Sequence, residues 1–236
     1  MFTESAELYD AIYASFKDYA AEVERIAALL RSLNPDARSV LDVACGTGEH
    51  AARLATAHGL SVDGLDLDPG LLRIARQKHP AGHFFEADMS DFALEQRYDV
   101  ILCLFSSIGY LRTLDRVQKA LECFRRHLHP KGIAVVEPWF APGVLDTSRT
   151  TRNDATVGDL RIERTSRLEI DGRLSRLHFD YRIESPAGVR HATEVHELGL
   201  FTPAELLQTF QAAGLSPEFD PVGLAGRGLY VAQIAA

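Results

Sequence analysis

Apolar positions along the chain change their spacing several times, and each spacing predicts a different element. Between residues 18 and 33 they recur every three or four residues and Asn34-Pro35 follows, which predicts a helix that ends there. Leu8 to Phe16 shows the same spacing and predicts an earlier helical piece. From Ser39 onwards, short apolar runs alternate with amphipathic stretches, which is typical of βαβ units and a parallel sheet.

The apolar runs predict a seven-stranded sheet. Five runs precede residue 141, at 39–46, 61–67, 83–89, 98–106 and 133–140, and two follow a helix over 202–214, at 216–222 and 228–235. We therefore expect a Rossmann-like, doubly wound, mostly parallel α/β sheet. The predicted divisions are a helical segment over 1–37 that covers the active site, a core over 38–148 and 202–236, and an insertion over 149–201.

The stretch from 160 to 201 has a different pattern, in which apolar and polar residues alternate about every second position. Turn signals stand at Asp171-Gly172 and at Pro186-Ala187-Gly188, so the stretch predicts an antiparallel β-meander inserted after the fifth strand. Arginines and acids are interspersed through it. We expect these arginines to lie on a solvated, charge-paired sheet face rather than on an anion-binding surface.

Composition narrows the possible partners. The chain has 236 residues and a formal net charge of −8, which disfavours binding to nucleic acid or to an anionic membrane. Its three cysteines form neither a metal-ligand pattern nor an even set for disulfides. No signal peptide is visible, and no apolar run approaches the roughly 20 residues of a membrane span. These features predict a cytoplasmic protein without a metal site.

The densest motif is LDVACGTGEH at residues 41–50. Gly46 and Gly48 follow a predicted strand directly and precede a helix, so a ligand can press against bare backbone and unpaired N–H groups. Ala51 completes a G-x-G-x-x-A pattern, which by itself fits a dinucleotide site. The same run could also be a tight turn without a ligand.

Three carboxylates distinguish between possible cofactors. Asp66 ends the second strand, where it can accept hydrogen bonds from a ribose diol, and Asp88-Met89 ends the third, where it can meet an adenine edge. Asp42 lies inside the first strand, where it would repel a pyrophosphate but suit the ammonium of an amino acid. No lysine in the loop offsets phosphate charge. The set predicts S-adenosyl-L-methionine as the cofactor, with S-adenosyl-L-homocysteine as product.

The motifs DVACGTG, GLDLD and EADM, with the order of strands and helices, resemble the class I S-adenosylmethionine-dependent methyltransferases over residues 38–140. LCLFSSIGYL at 102–111, VVEPWF at 135–140, VHELGLF at 195–201 and GRGLYV at 226–231 resemble the bacterial dTDP-3-amino-3,6-dideoxyhexose N,N-dimethyltransferases of the desosamine and mycaminose type. That resemblance implies methylation of a nucleotide-linked amino sugar in antibiotic biosynthesis. That family usually has two tryptophans where this chain has Trp139-Phe140.

Position in the pattern and the resemblance together select the candidate site residues. The predicted cofactor-binding residues are Tyr19, Asp42, Ala44, Gly46, Gly48, Asp66, Leu67, Asp88, Met89 and Phe105. The resemblance implies that Tyr9 and Tyr110 face the acceptor amine, and these are the catalytic candidates. The predicted substrate-binding residues are Tyr13, Trp139, His196 and Arg227. For the last of these, flanking glycines allow close approach to a diphosphate, and the resemblance places a diphosphate-binding arginine there.

Several alternatives stay open from the residues alone. Tyr13 could be a core aromatic, Trp139 could seal the core beneath the meander, and His196 could be a satisfied sheet histidine. A methyltransferase for another small amine, hydroxyl or carboxylate is a rival function, as is a non-catalytic binding protein. An NAD(P)-dependent oxidoreductase is disfavoured by Asp42 and by the lack of a Tyr-x-x-x-Lys pair. A homodimer is a further expectation.

Overall fold

The structure, a computed structural model, describes residues 6–235 of the chain, with side chains from residue 8 onwards. Its elements in chain order are α1 (Ala6–Ala14), α2 (Tyr19–Leu33), β1 (Ser39–Val43), α3 (Glu49–His58), β2 (Ser61–Asp66), α4 (Pro69–Lys78), β3 (Phe84–Glu86), β4 (Tyr98–Cys103), α5 (Leu114–His127), β5 (Leu128–Val136), β6 (Thr150–Val157), β7 (Leu160–Asp171), β8 (Leu174–Ser185), β9 (Gly188–Gly199), α6 (Pro203–Ala212), β10 (Leu215–Asp220) and β11 (Leu229–Ile234). A 3₁₀ turn over Ser107–Leu111 follows β4.

Seven strands form one sheet in the order β10-β11-β5-β4-β1-β2-β3. Strands β1 to β5 pair in parallel, whereas β11 runs antiparallel to both of its neighbours. Side chains alternate across this sheet, so Leu41 packs with α5 and α6 on one face while Val40 packs with α2, α3 and α4 on the other. The predicted doubly wound, mostly parallel seven-stranded sheet is confirmed.

A capping box begins α6 and a glycine ends α3, whereas the bounds of β5 differ from those predicted. Thr202 and Glu205 form a reciprocal capping box at the start of α6, and Gly59 ends α3 in the left-handed conformation. Strand β5 begins earlier than predicted, at Leu128, and ends at Val136. Glu137 and the three residues after it therefore lie beyond the end of β5, at the carboxyl edge of the sheet.

A second, four-stranded sheet has the order β6-β7-β8-β9 and is antiparallel throughout. The three meander strands predicted over 160–201 are present as β7, β8 and β9. Strand β6 was not predicted, because TTRNDATV is polar, mostly exposed and lacks the alternation that marks a half-buried strand. It pairs with β7 through a two-residue turn at Gly158-Asp159.

The described part of the predicted segment over 1–37 contains two helices with different packing. Leu8 and Ile12 of α1 share a hydrophobic cluster with Ile162, Phe179 and other residues of the second sheet. Helix α2 instead packs its apolar stripe on the parallel sheet. Helix α1 is therefore tied to the predicted insertion, which lies far from it in sequence. Residues 1–5 of that segment and residue 236 of the predicted core lie outside the described residues.

Two further findings apply to residues 6–235. None of the helices in that range combines the length and the apolar character that a bilayer span requires. Within the same range, no group of three or more histidine, cysteine or acidic side chains is arranged to hold a metal ion.

Candidate active site

A cavity of about 730 Å³ lies at the carboxyl edge of the parallel strands, under α1 and against the inner face of the second sheet. This is the edge where open α/β sheets bind ligands. Most of the predicted site residues line it: Tyr9, Tyr13, Ala44, Gly46, Asp66, Leu67, Asp88, Met89, Phe105, Tyr110, Trp139, His196 and Arg227. Residues predicted from separate motifs thus meet in one space.

The glycine loop is held in place by Asp66. Gly46 has a φ of 56° and donates its backbone N–H to Asp66 Oδ2 at 2.8 Å, while the N–H of Asp68 reaches Oδ1 at 2.9 Å. Ala44 also has a positive φ, of 57°, a conformation that costs a non-glycine residue energy. Burial raises the pKa of Asp66, against the effect of these backbone donors. The carboxylate is thereby fixed at the edge of the cavity.

Asp42 lies behind this loop and does not line the cavity. Its side chain is buried, and Oδ2 has no hydrogen-bond partner among the residues that the structure describes. Burial raises its pKa to about 6, with a further increase from the charge of Asp66 and an opposing effect from His50. A buried carboxylate oxygen without a donor is well suited to a cationic ligand, because any donor or cation would relieve its desolvation.

Two other predicted cofactor residues also lie outside the cavity lining. Gly48 has a φ of 71°, and a Cβ there would lie 2.9 Å from the Cβ of Ala75, so its lack of a side chain lets α3 begin close to α4. The Tyr19 ring packs against His50 with centroids 5.1 Å apart, and Lys17 Nζ lies 4.9 Å from its centre. Direct contact of Tyr19, Asp42 and Gly48 with a cofactor remains a prediction.

Helix α1 places Tyr9 over the glycine loop. The Tyr9 hydroxyl lies 3.9 Å from the point where a Gly46 side chain would begin. Asp10 anchors the helix there, because it accepts a hydrogen bond from the Thr47 hydroxyl and pairs with Lys78 Nζ at 2.6 Å. Burial raises the pKa of Tyr9 well above its usual value. Tyr9 is therefore a neutral hydroxyl at neutral pH.

At the third strand, Asp88 is partly engaged by neighbouring donors. Its Oδ1 accepts hydrogen bonds from the backbone and hydroxyl of Ser90, and its Oδ2 accepts one from Arg116 Nη2 at 2.6 Å. Burial acts to raise the pKa of Asp88, but these hydrogen bonds and the arginine charge hold it below its usual range. Arg116, which sequence reasoning missed, keeps this carboxylate ionised beside Met89.

Glu137 joins three parts of the cavity wall. It is 2% exposed; its Oε1 accepts a hydrogen bond from Arg227 Nη2 at 2.8 Å, and its Oε2 accepts the Phe105 backbone N–H at 2.7 Å. Phe105 and Ser106 both have positive φ, of 52° and 63°, and this contact holds them there. Arg227 lines the cavity but is committed in part to Glu137, a pairing that the sequence did not predict.

A chain of hydrogen bonds starts at Tyr110 and enters the second sheet. The Tyr110 hydroxyl lies 2.9 Å from His196 Nδ1, and His196 Nε2 lies 3.3 Å from Glu194 Oε2. The Tyr181 hydroxyl donates to the same carboxylate oxygen at 3.1 Å. Sequence reasoning missed Glu194, although it lies two residues from His196 on β9. Residues two apart on a strand share a face, so the alternating pattern places both on the inward face.

Arg164 on β7 departs from the expectation that the meander arginines are solvated. It is 5% exposed and lines the cavity, stacked near the rings of Tyr13, Phe16 and Phe179 at 4.7–5.4 Å. Its Nη2 donates to Asn153 at 3.0 Å, but Nε and Nη1 have no partner within the described part of the chain. Its position in the alternating pattern was the missed signal, because Arg164 lies on the same inward face of β7 as the buried Ile162.

Other arginines of the same sheet behave as expected. Arg152 pairs with Glu163 at 2.6 Å, and Arg182 pairs with Glu184 at 2.8 Å on an exposed face. Because exposed pairs contribute little, these residues do not bear on the cavity.

Trp139 connects the parallel sheet to the second sheet. Its indole Nε1 donates to Ser175 Oγ on β8 at 2.8 Å, and Ser175 in turn donates to the Leu198 carbonyl at 3.2 Å. A side chain at Gly109 would lie 3.1 Å from both Trp139 and Leu198, so the 3₁₀ turn that carries Tyr110 needs a glycine to pack here. Trp139 is thus a fixed wall of the cavity.

Comparison with known proteins gives consistent results. Residues 40–132 match a family model described as a methyltransferase domain. The chain is 40% identical over 229 residues to dTDP-3-amino-3,6-dideoxy-alpha-D-glucopyranose N,N-dimethyltransferase of Streptomyces fradiae, covering 96% of this chain and 89% of that one. It is 38% identical to dTDP-4-amino-2,3,4,6-tetradeoxy-D-glucose N,N-dimethyltransferase of Saccharopolyspora spinosa, covering 97% and 92%.

A solved structure agrees over the same length. The SAM-bound amino pentose methyltransferase CalS10 from Micromonospora echinaspora, involved in calicheamicin biosynthesis, superimposes with a TM-score of 0.87. The two chains are 32% identical, and the match covers 97% of each. The match therefore includes the second sheet as well as the parallel sheet.

Proposed function

The chain belongs to the family of the dTDP-amino sugar N,N-dimethyltransferases, and we propose that it methylates the amino group of a dTDP-linked amino deoxysugar with S-adenosyl-L-methionine. One observation carries the proposal. A single cavity has carboxylates along its parallel-sheet edge and two largely buried arginines on its other walls. Such a cavity suits a cationic cofactor at one end and an anionic acceptor at the other.

The residues present fit this cofactor. Asp66 is fixed where it can accept from a ribose diol, Asp88 and Met89 border the space for an adenine, and the loop at Ala44 and Gly46 presents bare backbone. The unpartnered Asp42 oxygen supplies negative charge behind that loop. When bound, S-adenosylmethionine supplies a methyl group that is already activated on a sulfonium. The protein therefore needs mainly to align a neutral amine in a dry site.

Tyr9 and Tyr110 are proposed to orient that amine. Both line the cavity, and burial raises the pKa of both hydroxyls well above the usual value, so they donate and accept hydrogen bonds as neutral groups. The Tyr13 ring lies 4.3 Å from the Tyr9 ring and 5.2 Å from the Arg164 guanidinium, and Trp139 and Phe105 add apolar walls. These rings exclude water from the nucleophile, which favours its neutral form.

The diphosphate of the acceptor is proposed to bind Arg164, with Arg227 as a second contact. Arg164 lines the cavity and has two buried nitrogens, Nε and Nη1, without partners among the described residues, whereas Arg227 has one, Nε, and donates to Glu137 through Nη2. A guanidinium with free donors next to a phosphate gains charge-assisted hydrogen bonds and recovers its desolvation cost. His196 also lines the cavity and lies 2.9 Å from the Tyr110 hydroxyl, and its contact with the nucleotide remains a prediction.

Mass spectrometry of reaction mixtures tests the function. We expect one or two methyl groups on dTDP-3-amino-3,6-dideoxyglucose, with S-adenosylhomocysteine formed in equal amount, and much slower methylation of the free amino sugar. The dTDP-4-amino sugar of the Saccharopolyspora relative is the control for the position of the amine. Equal rates on the free sugar and its dTDP form would contradict the nucleotide-sugar assignment, leaving a methyltransferase for another small acceptor.

Cytoplasmic location and a homodimer are retained as proposals. All three cysteines are buried free thiols, which supports a reducing compartment. Light scattering at several concentrations tests the dimer, and a constant monomer mass would contradict it.

A further inference from the structure

We propose that Tyr110, His196 and Glu194 form a proton relay that deprotonates the acceptor ammonium before methyl transfer. The inference rests on the proposed function, since it concerns the amine of that acceptor. An amino sugar is largely protonated near neutral pH, and only the neutral amine has a lone pair for the methyl group. The reaction therefore needs a route for one proton per methyl added.

The geometry defines the protonation states along the relay. Glu194 accepts a hydrogen bond from His196 Nε2 at 3.3 Å, so the imidazole carries its proton on Nε2 and leaves a lone pair on Nδ1. That lone pair faces the Tyr110 hydroxyl at 2.9 Å. Tyr110 then donates its O–H to His196 and turns an oxygen lone pair to the cavity.

The transfer balances with no other reactant. The ammonium N–H bond breaks as an O–H bond forms on Tyr110, and the original Tyr110 O–H bond breaks as an Nδ1–H bond forms on His196. The products are a neutral amine and an imidazolium, whose charge is stabilised by the Glu194 carboxylate. Tyr181 donates to the same carboxylate at 3.1 Å and keeps it oriented. Tyr110 is the residue that meets the acceptor, and His196 and Glu194 act through it.

Packing of the relay favours this role over a surface pair. The side chains of His196 and Glu194 are 1% and 6% exposed, and the imidazole lies 5.1 Å from the Phe179 ring. The sheet contains a second pair with the same separation, since His178 Nε2 lies 3.3 Å from Glu169 Oε2. That pair is at the surface and does not line the cavity. It is the matched control.

The ionisable groups around the relay come from several elements. They are Tyr9 and Tyr13 on α1, Asp66 on β2, Arg164 on β7, Tyr181 on β8, and the Arg112–Glu197 pair beside β9. The tyrosines are neutral, and Arg112 and Glu197 compensate each other at 2.9 Å. Arg164 and Asp66 stay unchanged in every variant of the test, so differences between variants report on the relay.

The test is single-turnover methylation of dTDP-3-amino-3,6-dideoxyglucose as a function of pH, with four single variants and one double variant. Tyr110→Phe and His196→Asn should each lower the rate constant by roughly 100-fold, the lower end of what general acid–base groups contribute. His196→Asn retains a hydrogen-bonding group near the Nδ1 position but cannot take the proton. His178→Asn, the control, should leave the rate unchanged.

Two readouts separate a relay from structural support. In the Tyr110→Phe background, His196→Asn should cost little more, because the two groups act as one unit. Glu194→Gln should move the acidic limb of the rate profile to lower pH, since an imidazolium without its carboxylate loses its proton more easily. The substrate amine is identical in every reaction, so its own titration cancels from this shift.

The outcomes distinguish the relay from the function. Independent, multiplicative losses, or an acidic limb that Glu194→Gln leaves in place, overturn the relay while the wild type still methylates the sugar. If Glu194→Gln does not fold, the Tyr110 and His196 cycle decides alone. Failure of the wild type to methylate any nucleotide-linked amino sugar overturns the function and the relay together.

Discussion

The two sides of the cavity carry opposite charge and satisfy it in different ways. On the parallel-sheet edge, the carboxylate of Asp66 is held by backbone N–H groups of turns that directly follow β1 and β2. On the inner face of the second sheet, Arg164 is surrounded by aromatic rings and retains two nitrogens without partners in the described chain. Asp66 is thus hydrogen-bonded by its own backbone, whereas Arg164 keeps N–H groups without acceptors among the described residues.

This contrast explains how one space can accept two unlike ligands. Under the proposed function, carboxylates at the sheet edge would attract a cationic cofactor and a buried guanidinium would attract a diphosphate, so each ligand would be disfavoured at the other's end.

The largest expected effect is at the residue that connects the two sides. Glu137→Ala should lower the free energy of unfolding by about 3–5 kcal/mol, because it leaves the largely buried Arg227 without its partner. Urea denaturation measures this. Glu197→Ala is the control, since Glu197 pairs with the exposed Arg112 and the half-exposed Arg176 and its loss should destabilise the fold much less. Equal losses would show that the Glu137 pair does not support the cavity.

A smaller and one-sided effect is expected at the cofactor edge. Asp66→Asn keeps the shape of the side chain but removes its charge, and should weaken S-adenosylhomocysteine binding by roughly 1.5–3 kcal/mol. Affinity for the dTDP part of the acceptor should not change. Calorimetric titration of each ligand separately gives both values. Unchanged cofactor affinity would remove Asp66 from the ribose role.

On the second sheet, a substitution should affect binding of the acceptor rather than of the cofactor. Arg164→Met retains the apolar packing but removes the donors, and should raise KM for the dTDP-amino sugar by the equivalent of roughly 1.5–3 kcal/mol. Turnover should change less, as for a remote anchor. Arg167→Met, at an exposed arginine of the same strand, is the control. Should Arg227→Met raise KM while Arg164→Met does not, the diphosphate contact belongs to Arg227 alone.

The smallest effect concerns pH and the cofactor edge only. The pKa of Asp42 is raised to about 6, so Asp42 is protonated below that pH and its charge is lost to a cationic ligand. A ligand that binds the ionised form of Asp42 must displace its proton at low pH. The affinity for S-adenosylhomocysteine should therefore fall about tenfold between pH 7.5 and pH 5. Asp42→Asn should abolish this dependence in calorimetric titrations. A dependence that persists in Asp42→Asn would assign it to another group.

The raised pKa of Asp42 also makes the free energy of unfolding depend on pH. A carboxyl whose folded pKa lies above its unfolded value binds more protons when folded, so its contribution favours the folded state below about pH 4 and is lost as pH rises through 6. In Asp42→Asn, stability between pH 4 and 6 should therefore fall less as pH rises than in the wild type.

Local sequence determined the parallel sheet, the glycine loop and the position of most cofactor-side residues. Asp66 is the last residue of β2, and Gly46 and Asp88 lie a few residues after β1 and β3. Because parallel strands end at one edge, the order of these motifs along the chain is enough to predict that they meet. The meander strands were also predictable from alternation, except for β6, whose polar residues carry no such pattern.

Only the tertiary structure decided which polar groups of the second sheet are buried. The alternating pattern places Arg164 and Glu194 on the inward face of the second sheet. Whether that face meets water or a cavity depends on α1, which lies far earlier in the sequence. The contacts that define the acceptor side join residues far apart in sequence, such as Tyr110 with His196 and Glu137 with Arg227. Desolvation and pairing at such distances arise from packing between elements, and no local pattern in the chain encodes them.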